Sequence, residues 1–275
     1  MLKELKIVNK KFIDSMKKTK GVLAAWYFGS TMHGQSDEYS DIDIVLLAEE
    51  AEYHSIDKSL TEMLKESCDD VILCWDEDFN SDTMKNYDYL LCLNGKIFQY
   101  DVFLLNNACI DDFMCKLHYT DLKRENIIFA VDGLADTLIQ NSPQGTLWHD
   151  DRKRLIETYW LHIQMSVKYF KRKDFFKLDS VLRTLMDTHS SLLLDAYDKI
   201  TWGGSANKLH YIPEEKQMHL MKYGCIEDYD SMKKNFLLFI NWFEEDVNEI
   251  IGDDSSMADA KELGARIKEY WINHM

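Results

Sequence analysis

The chain has 275 residues, room for one large domain or two ordinary ones. Hydrophobic residues make up 46%, with only 11 Gly and 2 Pro, so a full core can be buried and a low-complexity or disordered chain is excluded. The formal net charge of -16 argues against a nucleic-acid partner, whose phosphates an acidic surface repels, and it would favour a cationic small molecule.

Met1 to Lys20 mixes lysines with apolar residues at helical spacing, which predicts an amphipathic helix burying Leu5, Ile7, Phe12, Ile13 and Met16, ended by Gly21. No apolar run is long enough to span a membrane and the N-terminus lacks a signal core. The six cysteines (Cys68, Cys74, Cys92, Cys109, Cys115, Cys225) form no CxxC pair and read as buried thiols of a reducing compartment. A cytoplasmic protein is expected.

Val22 to Phe28 reads as a strand, broken at Gly29-Ser30, where a short helix can begin. Asp41 to Ala48 (DIDIVLLA) is a second strand, Ile56 to Glu66 a helix and Val71 to Trp75 a third strand. Tyr89 to Leu93 and Lys96 to Leu105 flank Asn94-Gly95. That dipeptide suits a two-residue hairpin turn, in which both residues need positive φ.

A turn-rich joint, Asn141-Ser-Pro-Gln-Gly145, precedes a mostly helical remainder. Helices are expected over Leu147 to Lys171, Phe175 to Ile200, Pro213 to Lys222, Tyr229 to Ile251 and Met257 to His274, as an antiparallel bundle. The expected fold is therefore α+β: a mixed-sheet domain over 1–140, then a helical bundle over 141–275.

Chemistry concentrates between Phe28 and Leu47. Gly29 and Ser30 stand between a strand and a helix start, where glycine allows close backbone approach and exposed amides favour anions. Asp41 and Asp43 are two apart on a strand, so they share a face about 6.6–7 Å apart. From there they can converge on two metal ions about 3.5–4 Å apart. Hard oxygen ligands suit Mg2+ or Mn2+. Without a cation, each carboxylate facing a triphosphate oxygen at 4 Å costs about 4 kcal/mol at an effective dielectric near 20. Asp101, inside the apolar run KIFQYDVFLL, is the third candidate. A charge there is costly unless paired or cation-bound, and it can hold a metal, accept a proton, or both.

Gly29-Ser30, the gap, and Asp41-Ile-Asp43 resemble the nucleotidyltransferase superfamily that includes DNA polymerase beta. Tyr39-Ser40-Asp41-Ile42-Asp43 is similar, more narrowly, to the enzymes that adenylylate aminoglycosides and lincosamides, some of which have Glu at the place of Asp43. Those enzymes pair an N-terminal catalytic domain with a C-terminal helical bundle. The resemblance implies that Asp41 and Asp43 bind Mg2+, that Asp101 is the third acidic position, and that Gly29 and Ser30 hold the triphosphate of ATP. His33 stands where relatives often carry a basic residue. Ser40, and Lys208 in the loop Trp202-Gly-Gly-Ser-Ala-Asn-Lys208, are further nucleotide-contact candidates, beside Lys171 and Arg172.

The expected reaction moves AMP from ATP to a hydroxyl of a small acceptor, with an aminoglycoside-like antibiotic first and a lincosamide next. The acceptor is expected between the two domains. A protein- or RNA-modifying enzyme of toxin–antitoxin type and a non-catalytic nucleotide-binding module are the alternatives. His149, His162 and His189 read as structural or solvated, and Glu244-Glu245-Asp246 as a solvated helix face or one wall of a cation site.

Overall fold

The computed structural model describes residues 3–32, 34, 37, 39–199, 205–224 and 228–275. His33, Trp202, Gly203, Gly204 and Cys225 lie outside the described residues. The chain divides into two compact units, 1–145 and 146–275.

In the first unit the order is α1 (Lys3–Met16), β1 (Val22–Tyr27), α2 (Gly29–Met32), β2 (Ile42–Ala48), α3 (Tyr53–Lys65), β3 (Asp70–Asp76), β4 (Met84–Leu93), β5 (Lys96–Asn106), α4 (Phe113–Leu117), β6 (Ile127–Ala130) and α5 (Leu134–Asn141). The six strands form one sheet in the order β3-β4-β5-β2-β1-β6. Only β2 and β5 run parallel. Their pairing joins two hairpin systems, β1–β2 and β3–β4–β5, into one sheet.

Asn94 and Gly95 both have positive φ, 54° and 72°, as the tight turn between β4 and β5 requires. The first strand of that hairpin is longer than its apolar run suggests, because β4 begins at Met84. The strand β6 and the helices α4 and α5 are too short to leave a periodic signal in the sequence.

The two faces of the sheet have different fates. Ile42, Ile44 and Leu46 of β2 and Tyr100, Val102 and Leu104 of β5 pack with Leu5, Phe12, Leu60 and Leu64 of α1 and α3. The alternate residues, Val45, Leu47, Phe103 and Leu105, pack with Trp26, Tyr119, Leu122 and Leu138. The central strands are thus apolar on both faces, which is why they read as near-continuous hydrophobic runs. On the second face the cover does not reach the far end of the sheet. Leu73, Ile97 and Gln99 stay exposed.

The second unit holds α6 (Arg152–Arg172), α7 (Phe175–Ala196), α8 (Glu214–Met221), α9 (Tyr229–Ile251) and α10 (Ala258–His274). Asp151, Asp174 and Asp228 cap α6, α7 and α9 by accepting from the backbone N–H three residues on. The core centres on Tyr159, stacked on Phe243 at 3.5 Å between ring centroids. Through it runs a buried polar chain. His189 Nε2 lies 2.7 Å from Asp246 Oδ2, and its Nδ1 lies 3.0 Å from the Tyr223 hydroxyl. That hydroxyl is 2.7 Å from Tyr159 Oη, which donates to the Phe239 carbonyl. Lys216 closes the chain on Asp246.

This corrects the expectation of a solvated face at Asp246, while Glu245 is exposed as expected. Asp246 is 1% exposed, placed by its spacing from Phe239 and Phe243 on the apolar stripe of α9. Cys74 is likewise exposed, not buried. Where α10 crosses α6, Gly264 lies so near Trp160 that an added Cβ would fall 2.8 Å from the indole. Gly264→Val is expected to cost about 1–3 kcal/mol by overpacking. Urea denaturation reads this, and an unchanged midpoint would show that the crossing is loose.

Candidate functional site

Strand register brings the acidic residues together. Asp43 of β2 is the Cα partner of Asp101 of β5, and Asp101 is the partner of Asp88 of β4. Directly paired residues on neighbouring strands project from the same face, at about 4.8 Å per strand step. Asp41, two residues before Asp43, joins the same face. The face is the one covered by Trp26, Tyr119 and Leu122, and the row stands where that cover ends. Asp88 was not singled out by sequence reasoning. Its signal, a carboxylate two residues from the polar Asn86 in MKNYDYLLCL, carries no chemistry until register is known.

Electrostatics sets the character of the row. Burial, then the neighbouring Asp41 and Asp88 charges, pushes Asp43 up to about 7. Asp101 is raised to about 8 by burial first, then by Asp88, Asp43 and Asp41, against the hydrogen bonds it accepts from Gln99. Asp41 is raised by burial and Asp88. The Gln99 amide donates to both Asp101 oxygens at 3.1 and 2.9 Å, and the Asn86 amide donates to Asp88 at 3.2 Å. Both are neutral donors. Among the described residues no Lys or Arg pairs with these four carboxylates. The nearby His118 ring packs on Phe28 and Phe103, and burial holds its pKa near 4, so it is neutral at pH 7.

The strand β1 delivers the Gly-Ser pair to the same place. Phe28 N–H donates to the Asp43 carbonyl at 3.0 Å, and Asn126 Nδ2 donates to the Met32 carbonyl at the end of α2. Gly29 has φ +57°, and an added Cβ there would lie 2.2 Å from Asp43 Oδ2. Only glycine fits both constraints. The buried hydroxyls of Ser30 and Thr31 have no hydrogen-bond partner among the described residues. A buried hydroxyl without a partner is costly and fits a ligand that supplies one.

Ser40 Oγ shapes the turn before Asp41, accepting from Asp37 N–H at 2.8 Å and donating to Asp37 Oδ1 at 3.0 Å. Lys208 belongs to the second unit, in the 3-10 segment Ser205–Tyr211, with its ammonium 5.3 Å from the Tyr211 ring centre. Lys171 and Arg172 occupy the last turn of α6. His149 is committed to Asp195, and His162 to the Thr158 carbonyl.

The donor set fits a hard divalent cation. It offers carboxylate oxygens with raised proton affinity, held in a polar row that has no protein cation. Among the described residues no group of three or more His, Cys, Asp or Glu is placed to hold a metal ion by itself.

Residues 10–92 match the family model described as polymerase beta, nucleotidyltransferase. The span takes in Gly29, Ser30, Asp41, Asp43 and Asp88 and stops short of Asp101. No curated protein matches the chain. A solved nucleotidyltransferase-like protein from Exiguobacterium sibiricum is similar at 8% identity and a TM-score of 0.31, over 98% of this chain and 90% of that one.

Raised carboxylates make a signed statement about stability. Between the ordinary value of 3.8 and about 8 the folded chain binds more protons at Asp101 than the unfolded chain does. Stability from this group therefore falls as pH rises through that window. Asp101→Asn is expected to flatten the fall and to raise the thermal midpoint of the metal-free protein at pH 8. Parallel melting curves of parent and variant would overturn the repulsion argument.

Proposed function

We propose that this chain, a nucleotidyltransferase of the polymerase beta superfamily, moves AMP from ATP to a hydroxyl group of a small, cationic, aminoglycoside-like acceptor. The observation that carries the reading is the cross-strand register of Asp43 with Asp101, with Asp41 beside them and Gly29 pressed against Asp43.

Each residue has a task that follows from its place. Gly29 lets the backbone of α2 approach the triphosphate, and the buried Ser30 hydroxyl donates to one of its oxygens. Asp41 and Asp43 would supply the oxygens for Mg2+, with Asp101 as third ligand. A divalent cation here offsets the repulsion between carboxylates and triphosphate and stabilises charge on the leaving pyrophosphate. Asp101, on the neighbouring strand, accepts the proton of the attacking hydroxyl. The acceptor oxygen bonds to the α-phosphorus, the bond from that phosphorus to the bridging oxygen breaks, and pyrophosphate leaves with the electron pair. The acidic balance of the chain, -16, supports a cationic acceptor over a nucleic acid.

The test is pyrophosphate release from ATP and Mg2+ in the presence of aminoglycosides, lincosamides or proteins. Release with an aminoglycoside is expected, and release only with another class would overturn the acceptor. Asp41→Asn and Asp43→Asn are expected to lower kcat by 100-fold or more, about 3 kcal/mol of transition-state stabilisation. Activity equal to the parent in both variants would sink the metal-centred reading. Gly29→Ala is expected to remove activity as well, since its Cβ would occupy the space of the Asp43 carboxylate. Lys208→Ala is expected to raise KM for ATP, and an unchanged KM removes Lys208 from the nucleotide contacts.

A further inference from the structure

The carboxylate row continues one strand further than the reaction requires. Trp75 of β3 is the Cα partner of Asp88, so the cross-strand series runs Trp75, Asp88, Asp101, Asp43. The other face of β3 is identified by Cys74, whose sulfur accepts from Thr61 of α3. Trp75 therefore stands on the face of the row, away from α1 and α3. Its side chain is unusual for an edge strand. The indole is 57% exposed and stacks on no other ring among the described residues. Leu73, two residues back on the same face of β3, extends the exposed apolar floor beside it.

Charge surrounds this indole on the side toward the row. Asp88 is its direct neighbour, and burial and then the nearby Asp88 charge raise the Glu77 carboxyl. Two strand steps, about 10 Å, separate Trp75 from Asp101. That is the span of a six-membered ring with its exocyclic substituents. A flat apolar surface with carboxylates along one side suits a molecule with an apolar face and a cationic edge. A saturated polyhydroxylated ring, apolar on its C–H face, that carries ammonium groups is such a molecule. The C–H face covers the indole, and the ring quadrupole and Asp88 both attract the ammonium.

We propose that Trp75 is the acceptor-stacking residue of the transfer reaction, with Asp88 and Glu77 selecting an amine-bearing cyclitol or saccharide whose hydroxyl reaches Asp101. The proposal rests on the nucleotidyl-transfer reading above and names how that site chooses its acceptor. Trp75 and Asp88 act by positioning, so their loss raises KM for the acceptor more than it lowers kcat.

Calorimetry on the full chain tests this with 2-deoxystreptamine as probe and myo-inositol, the same ring size without amines, as control. Each is titrated with and without Mg2+ and a non-hydrolysable ATP analogue. The parent is expected to bind 2-deoxystreptamine and to bind myo-inositol far more weakly. Trp75→Ala and Asp88→Asn are expected to weaken the probe roughly tenfold, and Trp75→Phe to restore most of the loss. Affinity for the ATP analogue is expected to stay at the parent value in Trp75→Ala and Trp75→Phe. Trp75→Lys, a residue that suits an exposed sheet edge, guards against misfolding, and its melting curve is expected to match the parent.

Equal binding of probe and control by the parent, or parent-like binding by Trp75→Ala and Asp88→Asn, overturns the proposal. So does sedimentation showing a parent dimer that Trp75→Lys dissociates with no change in probe affinity, which would make the indole an interface between copies. Failure of the ATP analogue to bind the parent, with the probe still bound through Trp75, would instead count against nucleotidyl transfer and leave the saccharide site standing.

Discussion

The parallel pairing of β2 with β5 is the contact on which the candidate site depends. It sets Asp43 beside Asp101, next to the apolar part of that face formed by Val45, Leu47, Phe103 and Leu105. No neighbouring strand supplies a cation, and the amides of Gln99 and Asn86 are the only side-chain donors to the row among the described hydrogen bonds. Charges brought together without neutralisation lower the stability of the fold that holds them. A protein keeps such an arrangement where a ligand removes the repulsion. The large apolar layers on both faces of the sheet hold the row in place against that repulsion.

Local signals were legible in the sequence, and pairing between distant segments was not. Asn94-Gly95 announces its hairpin because turn chemistry is local. The spacing of Asp41 and Asp43 shows that they share a face, because strand periodicity is local too. Asp88 stayed hidden because its meaning comes from facing Asp101 across a hairpin register, in a strand whose start at Met84 lacks an apolar run. The Trp75 indole was hidden for the same reason. Asp246 was misread for a different one. The run Glu244-Glu245-Asp246 suggests a wet face by composition, while its helical spacing from Phe239 and Phe243 points inward, and spacing prevailed.

The second unit handles buried polarity in the opposite way. Asp246 is satisfied by His189 and Lys216, and these contacts hold its carboxyl below the ordinary range despite burial. Asp195 is held low in the same manner by Arg152 and His149. These carboxylates are structural, since each already has its partners. The contrast with Asp43 and Asp101, both raised, separates carboxylates that have a protein cation from carboxylates that have none among the described residues.

The hairpin turn at Asn94-Gly95 also bears on the order of assembly. The β4–β5 hairpin closes over two residues, a fast local event, and already contains Asp88 and Asp101. Asp43 arrives only when β2 docks parallel to β5 across the intervening helix and strands, a long loop closure. The crowding of negative charge thus belongs to the slow, non-local step of folding, and a nascent chain completes its acidic row only after most of the sheet has been made.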